Sequence, residues 1–189
     1  AHLAPQDADA HNNLGITLHA LGRLEEASES FTQALSLRPE NAETHNNLGV
    51  IFKLLGKLKQ AEASCAKAVA LKPDYAEALF NLGDVRQELG SLEEAKSSYF
   101  QATQVKPDFA EAYFSLGNTL KELGELEEAE GSFKQAIEFK GDFVEAYNNL
   151  GNTQRELREF ESSEDGAKIS NWTDVPSGDE DALLDALAT

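Results

Sequence analysis

Apolar and small residues return to the same places along this chain every 34 residues. The tripeptide Asn-Leu-Gly marks the period, its glycine falling at Gly15, Gly49, Gly83 and Gly151, with Ser-Leu-Gly supplying Gly117. A second glycine follows seven places later at Gly22, Gly56, Gly90 and Gly124. Small residues recur at Ala27, Ala61, Ala95 and Ala129, and again at Ala34, Ala68, Ala102 and Ala136. Between those two columns stand Phe31, Cys65, Tyr99 and Phe133. Units close on Pro39, Pro73 and Pro107, with Gly141 in the place of a fourth proline. A fixed period of this length, without insertion or deletion, is the signature of a stacked repeat.

Each unit reads as two helices and two turns. In the third, Ala76–Leu89 is the first helix and Gly90 stops it. Leu92–Lys106 is the second, ended by Pro107. Asp108 is then placed to cap the next helix with Glu111 three residues on, and Asp74/Glu77 and Asp142/Glu145 repeat that pair. Glu-Glu pairs at 25–26, 93–94 and 127–128 fall in first turns of second helices, where the helix dipole favours carboxylates. Gly83 and Ala95 let the two helices of a unit approach closely, and Leu82, Leu89, Leu92 and Tyr99 fill the seam. One hairpin cannot cover that apolar face alone, so it stacks on the next.

The units run over 8–41, 42–75, 76–109 and 110–143, with a degenerate fifth at 144–160. Residues 1–7 match the end of a preceding unit, since Leu3 and Pro5 align with Leu37 and Pro39. In the fifth unit Arg158 replaces the turn glycine, Ser163 replaces the small Ala, and Gly166 interrupts what would be the second helix. That helix is expected to be short, irregular or absent. Residues 161–189 form an acidic tail with eight acids and one base, Lys168. Within it Pro176–Gly178 reads as a linker. Asp179–Leu187 either forms a short capping helix through Leu183, Leu184 and Leu187 or stays disordered. Trp172 could anchor the tail on the last helix. Asn171-Trp172-Thr173 matches a glycosylation sequon, a short pattern that carries little weight.

These offsets resemble the tetratricopeptide repeat (TPR) family from residue 8 to 160. The resemblance implies an all-α, right-handed superhelical solenoid of antiparallel helix pairs, whose first helices line a concave surface. The Asn-Leu-Gly flavour resembles the repeats preceding the catalytic part of O-GlcNAc transferases, and related bacterial arrays.

Composition narrows the function. The 189 residues carry 34 acids against 16 Lys and Arg, a net charge of −18, which disfavours a nucleic-acid partner. No stretch approaches a membrane span. One Cys and no visible secretion signal point to the cytoplasm, and no Met is present, so the chain reads as an excerpt or a processed product. His2, His11, His19 and His45 are the only histidines, and His11 and His45 share a column with Leu79, Tyr113 and Tyr147, as packing residues do. Cys65 occupies the aromatic column, as a small buried hydrophobe. No catalytic set, metal site or cofactor motif emerges.

Binding is the better-supported activity. Position six of the units reads Asn13, Asn47, Asn81, Ser115 and Asn149. Helix propensity does not explain a recurring Asn. An amide both donates and accepts, so a column of them can pair with successive peptide groups. In O-GlcNAc transferases this column is a ladder that binds peptide backbone, and the resemblance implies the same here. The other reading is that each Asn bonds to the neighbouring repeat and sets its orientation. Flanking columns add Asn12, Asn46, Phe80 and Phe114, then Asn118, then Lys53 and Lys121. Phe80 and Phe114 are candidate apolar pockets or helix-interface residues, and the Lys column is a modest basic stripe. The Lys/Arg clamp with which some TPR domains hold a chaperone C-terminus is missing, because position two is acidic in every unit. The expected function is a non-enzymatic scaffold binding a protein or peptide. The alternative is the substrate-recruiting portion of a larger enzyme such as a glycosyltransferase. Self-association through exposed repeat ends is a third expectation.

Overall fold

The computed structural model describes residues 7–172, and of these the side chains of 161 and 164–172 are left undescribed. The described part is all helix and turn: α1 (Ala8–Ala20), α2 (Leu24–Leu37), α3 (Ala42–Leu54), α4 (Leu58–Leu71), α5 (Ala76–Glu88), α6 (Leu92–Val105), α7 (Ala110–Glu122), α8 (Leu126–Phe139) and α9 (Val144–Trp172). Pairs α1/α2, α3/α4, α5/α6 and α7/α8 form the hairpins, and each packs on the next first helix.

The hairpin turn is set by backbone chemistry. At the end of α1, Gly22 takes φ 71°, the left-handed region where a Cβ would be strained. Its N–H donates to the His19 carbonyl and that of Arg23 to the Leu18 carbonyl, both at 2.9 Å. These two bonds satisfy carbonyls the helix end leaves over. The turn repeats at Gly56, Gly90 and Gly124.

The closeness of each hairpin rests on the other glycine. A Cβ built on Gly83 would lie 2.6 Å from the Tyr99 ring. Gly15 and Gly117 meet Phe31 and Phe133 at 2.7 Å, and Gly49 meets the Cys65 sulfur. Phe31, Cys65, Tyr99 and Phe133 are accordingly almost wholly buried. Burial pushes the Cys65 thiol up to about 12.

The expected capping boxes do not form. The cap positions of α5 and α7 fall one residue later, on Tyr75 and Phe109, and no side chain caps these helices. Asp108 and Asp142 lend only their backbone carbonyls, to Ala110 and Val144. True side-chain caps occur earlier, where Asp7 accepts from Asp9 and Ala10 at 3.1 Å and Asn41 accepts from Thr44 at 3.0 Å. The later joints use aromatic packing instead. Phe109 lies on Phe80 with centroids 5.1 Å apart and Phe143 on Phe114 at 4.7 Å. A lysine covers each ring: Lys72 over Tyr75 at 5.1 Å, Lys106 over Phe109 at 4.7 Å, Lys140 over Phe143 at 4.5 Å. Lys106 and Lys140 also pair with Glu77 and Glu111, the residues expected to complete those boxes.

Unit five does not close. Its second helix is absent as a separate element, and α9 runs through Arg158 and on to Trp172. Arg158 cannot easily take the positive φ of the turn glycines, so the helix simply propagates. The boundary expected between 160 and 161 falls inside this helix, which also spans Gly166. Residues 1–6, the Pro176–Gly178 linker and the Asp179–Leu187 turn lie outside the described residues, and the Trp172 anchor concerns a side chain that is not described.

Two outcomes follow from this packing. Gly83→Ala should cost about 2 kcal/mol in urea unfolding, because overpacking against Tyr99 outweighs the better helix propensity of Ala. Gly131→Ala, in open space on α8, should instead gain about 0.5–1 kcal/mol. Cys65 should resist a maleimide in the folded protein at neutral pH and react fully in denaturant; rapid labelling of the native chain would contradict its burial.

Candidate functional site

First helices of successive units touch one another, α1 with α3, α3 with α5, α5 with α7 and α7 with α9. Second helices of successive units do not. The first helices therefore form the tighter, inner face of the stack and the second helices splay on the outer one. This geometry fixes which columns share a surface.

Side-chain bonds run from first helix to first helix across that inner face. The Asn81 amide donates to Asn46 at 2.9 Å, and the Asn149 amide donates to Asn118 at 2.7 Å. Thr44 donates to Asn12 at 3.0 Å. Asn46 is buried, while Asn12, Asn47, Asn81, Ser115, Asn118 and Asn149 are half-buried and Asn13 is exposed. Both readings of the Asn column thus have members. Asn81 and Asn149 tie neighbouring units together through their N–H groups. Among the described residues, Asn13 and Asn47 have no side-chain partner.

The Lys column is not a free basic stripe. Lys53 lies 2.6 Å from Asp84 of the next unit, and Lys121 lies 2.7 Å from Glu156. Each is neutralised by the acid it reaches. The other carboxylate oxygen of Asp84 accepts from the Tyr99 hydroxyl at 2.9 Å, which also lies 3.0 Å from the Gln87 side-chain oxygen. Burial, then the Asp84 charge, drives the Tyr99 phenol well above its ordinary value. The Gln87 amide donates to Glu122 at 3.0 Å. These groups line an inner cleft of about 370 Å³ formed by Asp84, Gln87, Glu88, Tyr99 and Glu122. The centre of the inner face is therefore acidic. Position thirteen, which reads Glu88, Glu122 and Glu156 in the last three units, was the signal in the sequence for it.

Phe80 and Phe114 are half-buried in the joints between units. Phe80 contacts Tyr99 as well as Phe109, and Phe114 contacts Phe133 as well as Phe143. Their rings are occupied by packing. His45 places a ring nitrogen 2.9 Å from the Pro39 carbonyl oxygen, which pins α3 to the loop before it.

A larger cleft, about 620 Å³, opens on the outer face between α6 and α8. Its floor is Tyr113, Leu116 and Leu120 of α7, and Phe100 on its wall is 54% exposed. It is the gap left where second helices splay, and its walls bring no convergent set of polar groups to orient a ligand. Among the described residues, no three or more His, Cys, Asp or Glu come together as metal ligands, and no helix is long and apolar enough to cross a membrane.

Comparison with known proteins agrees with this architecture. A family model described as TPR repeat matches residues 17–56, 83–124 and 117–157, and one described as tetratricopeptide repeat matches 42–75. No curated protein matches at a significant level. Among solved structures, a crystal structure of MamA is 28% identical, covering 75% of this chain and 82% of its own, with a TM-score of 0.70. YrrB, described as a TPR protein with an unusual peptide-binding site, is 24% identical over 81% of this chain and 79% of its own, with a TM-score of 0.71, a likeness of fold. The first TPR of Spaghetti (RPAP3), bound to the HSP90 peptide SRMEEVD, is 29% identical over 65% of this chain and 98% of its own, with a TM-score of 0.62. With the repeat in register from α1 to α9 and family models matching well over half of its residues, the chain belongs to the tetratricopeptide repeat family.

Proposed function

We propose that this chain is a non-enzymatic protein-interaction scaffold that takes up an extended peptide segment along its inner face. The observation that carries the reading is the Asn column at position six. Two of its amides are held by the neighbouring unit, and two have no partner among the described residues. The tethered Asn81 and Asn149 spend one N–H on the fold and keep their carbonyl oxygens for a ligand. Asn13 and Asn47 keep both donor and acceptor. Held side chains lose less freedom on binding than mobile ones. The RPAP3 repeats, bound to a peptide in their solved structure, support a peptide as the ligand class.

The chemistry of the ligand differs from that example. The peptide SRMEEVD carries three acids, and here such a segment would meet Glu88 and Glu122, beside an Asp84 already offset by Lys53. Lys53 and Lys121 are already paired. The inner face suits a segment whose backbone lies on the amides of units one and two and whose Lys or Arg side chain enters the acidic cleft of units three and four.

A peptide array read by fluorescence polarisation tests this. Asn81→Ala is a poor probe, because it orphans the buried Asn46 carbonyl at a cost of about 1–3 kcal/mol in stability. Asn13→Ala with Asn47→Ala avoids that loss and should weaken capture about 30-fold, two hydrogen bonds of about 1 kcal/mol each being removed. Glu88→Gln with Glu122→Gln should abolish the preference for Lys- and Arg-bearing peptides. Absence of any peptide binding, or binding unmoved by both double variants, would sink the proposal.

A further inference from the structure

The fifth first helix is built to receive a second helix and has none among the described residues. In every earlier unit a Cβ at the position-eight glycine would strike the residue sixteen places on, as at Gly83 against Tyr99. Gly151 holds that position in α9, and a Cβ there would meet nothing within 4 Å. Beside it Val144 is 63% exposed and Tyr147 50%.

The segment that would cover this face is in the chain, carried away from it. Phe160 stands in the column of Leu24, Leu58, Leu92 and Leu126, and Ser163 in the column of the small Ala. Yet α9 does not turn at Arg158, where the intact units have a glycine with φ between 70° and 80°. Residues 158–172 project straight on, and Phe160 is left 58% exposed.

We propose that a second copy of this chain completes the fifth unit by exchange. Residues 158–172 of each copy lie on residues 144–157 of the other, so that the two α9 helices run antiparallel about a twofold axis near residue 158. The contact continues the pairing already made in α1/α2, α3/α4, α5/α6 and α7/α8, formed between copies because the turn has straightened. A reciprocal exchange closes on itself, so assembly stops at two and does not run on as a fibre. The inner face that the peptide proposal uses stays open.

Sedimentation of the full chain tests the exchange, with a mass rising from 20.6 kDa to twice that value as concentration increases. Gly151→Leu fills the receiving face, and its Cβ meets no described residue of a single copy, so it should hold the chain at 20.6 kDa without lowering its melting midpoint. Cysteine pairing gives a second readout. In unit two a Cβ on Gly49 would come 3.3 Å from the Ala61 carbonyl oxygen, so positions 8 and 20 of a unit are neighbours. One copy carrying Gly151→Cys, mixed with another carrying Ser163→Cys and oxidised, should give a covalent pair. Within one α9 the two positions are about 18 Å apart, too far for a disulfide. A single-copy mass at every concentration, a dimer unmoved by Gly151→Leu, or mixed cysteines that do not join would each overturn the exchange. So would a single-copy protein that Gly151→Leu destabilises, since the chain's own residues 173–189 would then be the cover.

Discussion

Everything in this structure depends on a bulky side chain lying directly over a glycine. The Phe31, Cys65, Tyr99 and Phe133 side chains occupy space that any Cβ at Gly15, Gly49, Gly83 or Gly117 would claim. That contact sets how near the two helices of a hairpin come. It leaves each hairpin with a first helix that can touch its successor and a second helix that cannot. Curvature, an inner face and an outer gap are consequences of this one spacing. The substitution of sulfur for a ring at Cys65 shows how much latitude it allows, since Ala61, Cys65 and Ala68 are still wholly buried.

The inner face serves two ends with one set of residues. Polar side chains there hold the units in register, through Asn46 with Asn81, Lys53 with Asp84, and Lys121 with Glu156. In the proposed function the same groups are the surface on which a peptide would lie. Buried polar contacts of this kind leave a strong penalty if one partner is lost. A ligand of the proposed kind would therefore read whatever capacity the joints leave over, and that is richer in amides at one end and in carboxylates at the other.

The period, the helices and the hairpin turns were legible in the sequence because glycine and proline act locally. Gly22 and Gly90 stop helices through their own backbone, whatever surrounds them. Asp74, Asp108 and Asp142 look like capping residues in isolation, while Phe109 and Phe143 decide the matter by packing on Phe80 and Phe114, far back along the chain. The same limit applied at the candidate site. The Asn column was visible, but the partners of Asn81 and Asn149 lie in the preceding unit, at columns that change from unit to unit. The pairing of Lys53 with Asp84 was equally hidden, since each residue is unusual only in its own unit.

The joints between units are not alike, and that gives the stack a direction. Where α2 meets α3 the joint rests on an Asn41 cap and a Thr44–Asn12 bond. The three later joints each seat an aromatic ring beneath a lysine. In a quasi-one-dimensional array stability is a chain of nearest-neighbour couplings, so the weakest link decides where the array parts. Heat or tension should open such an array joint by joint, with amide exchange running ahead at its two ends, the α1/α2 hairpin and the uncovered α9, while the units between them stay shut.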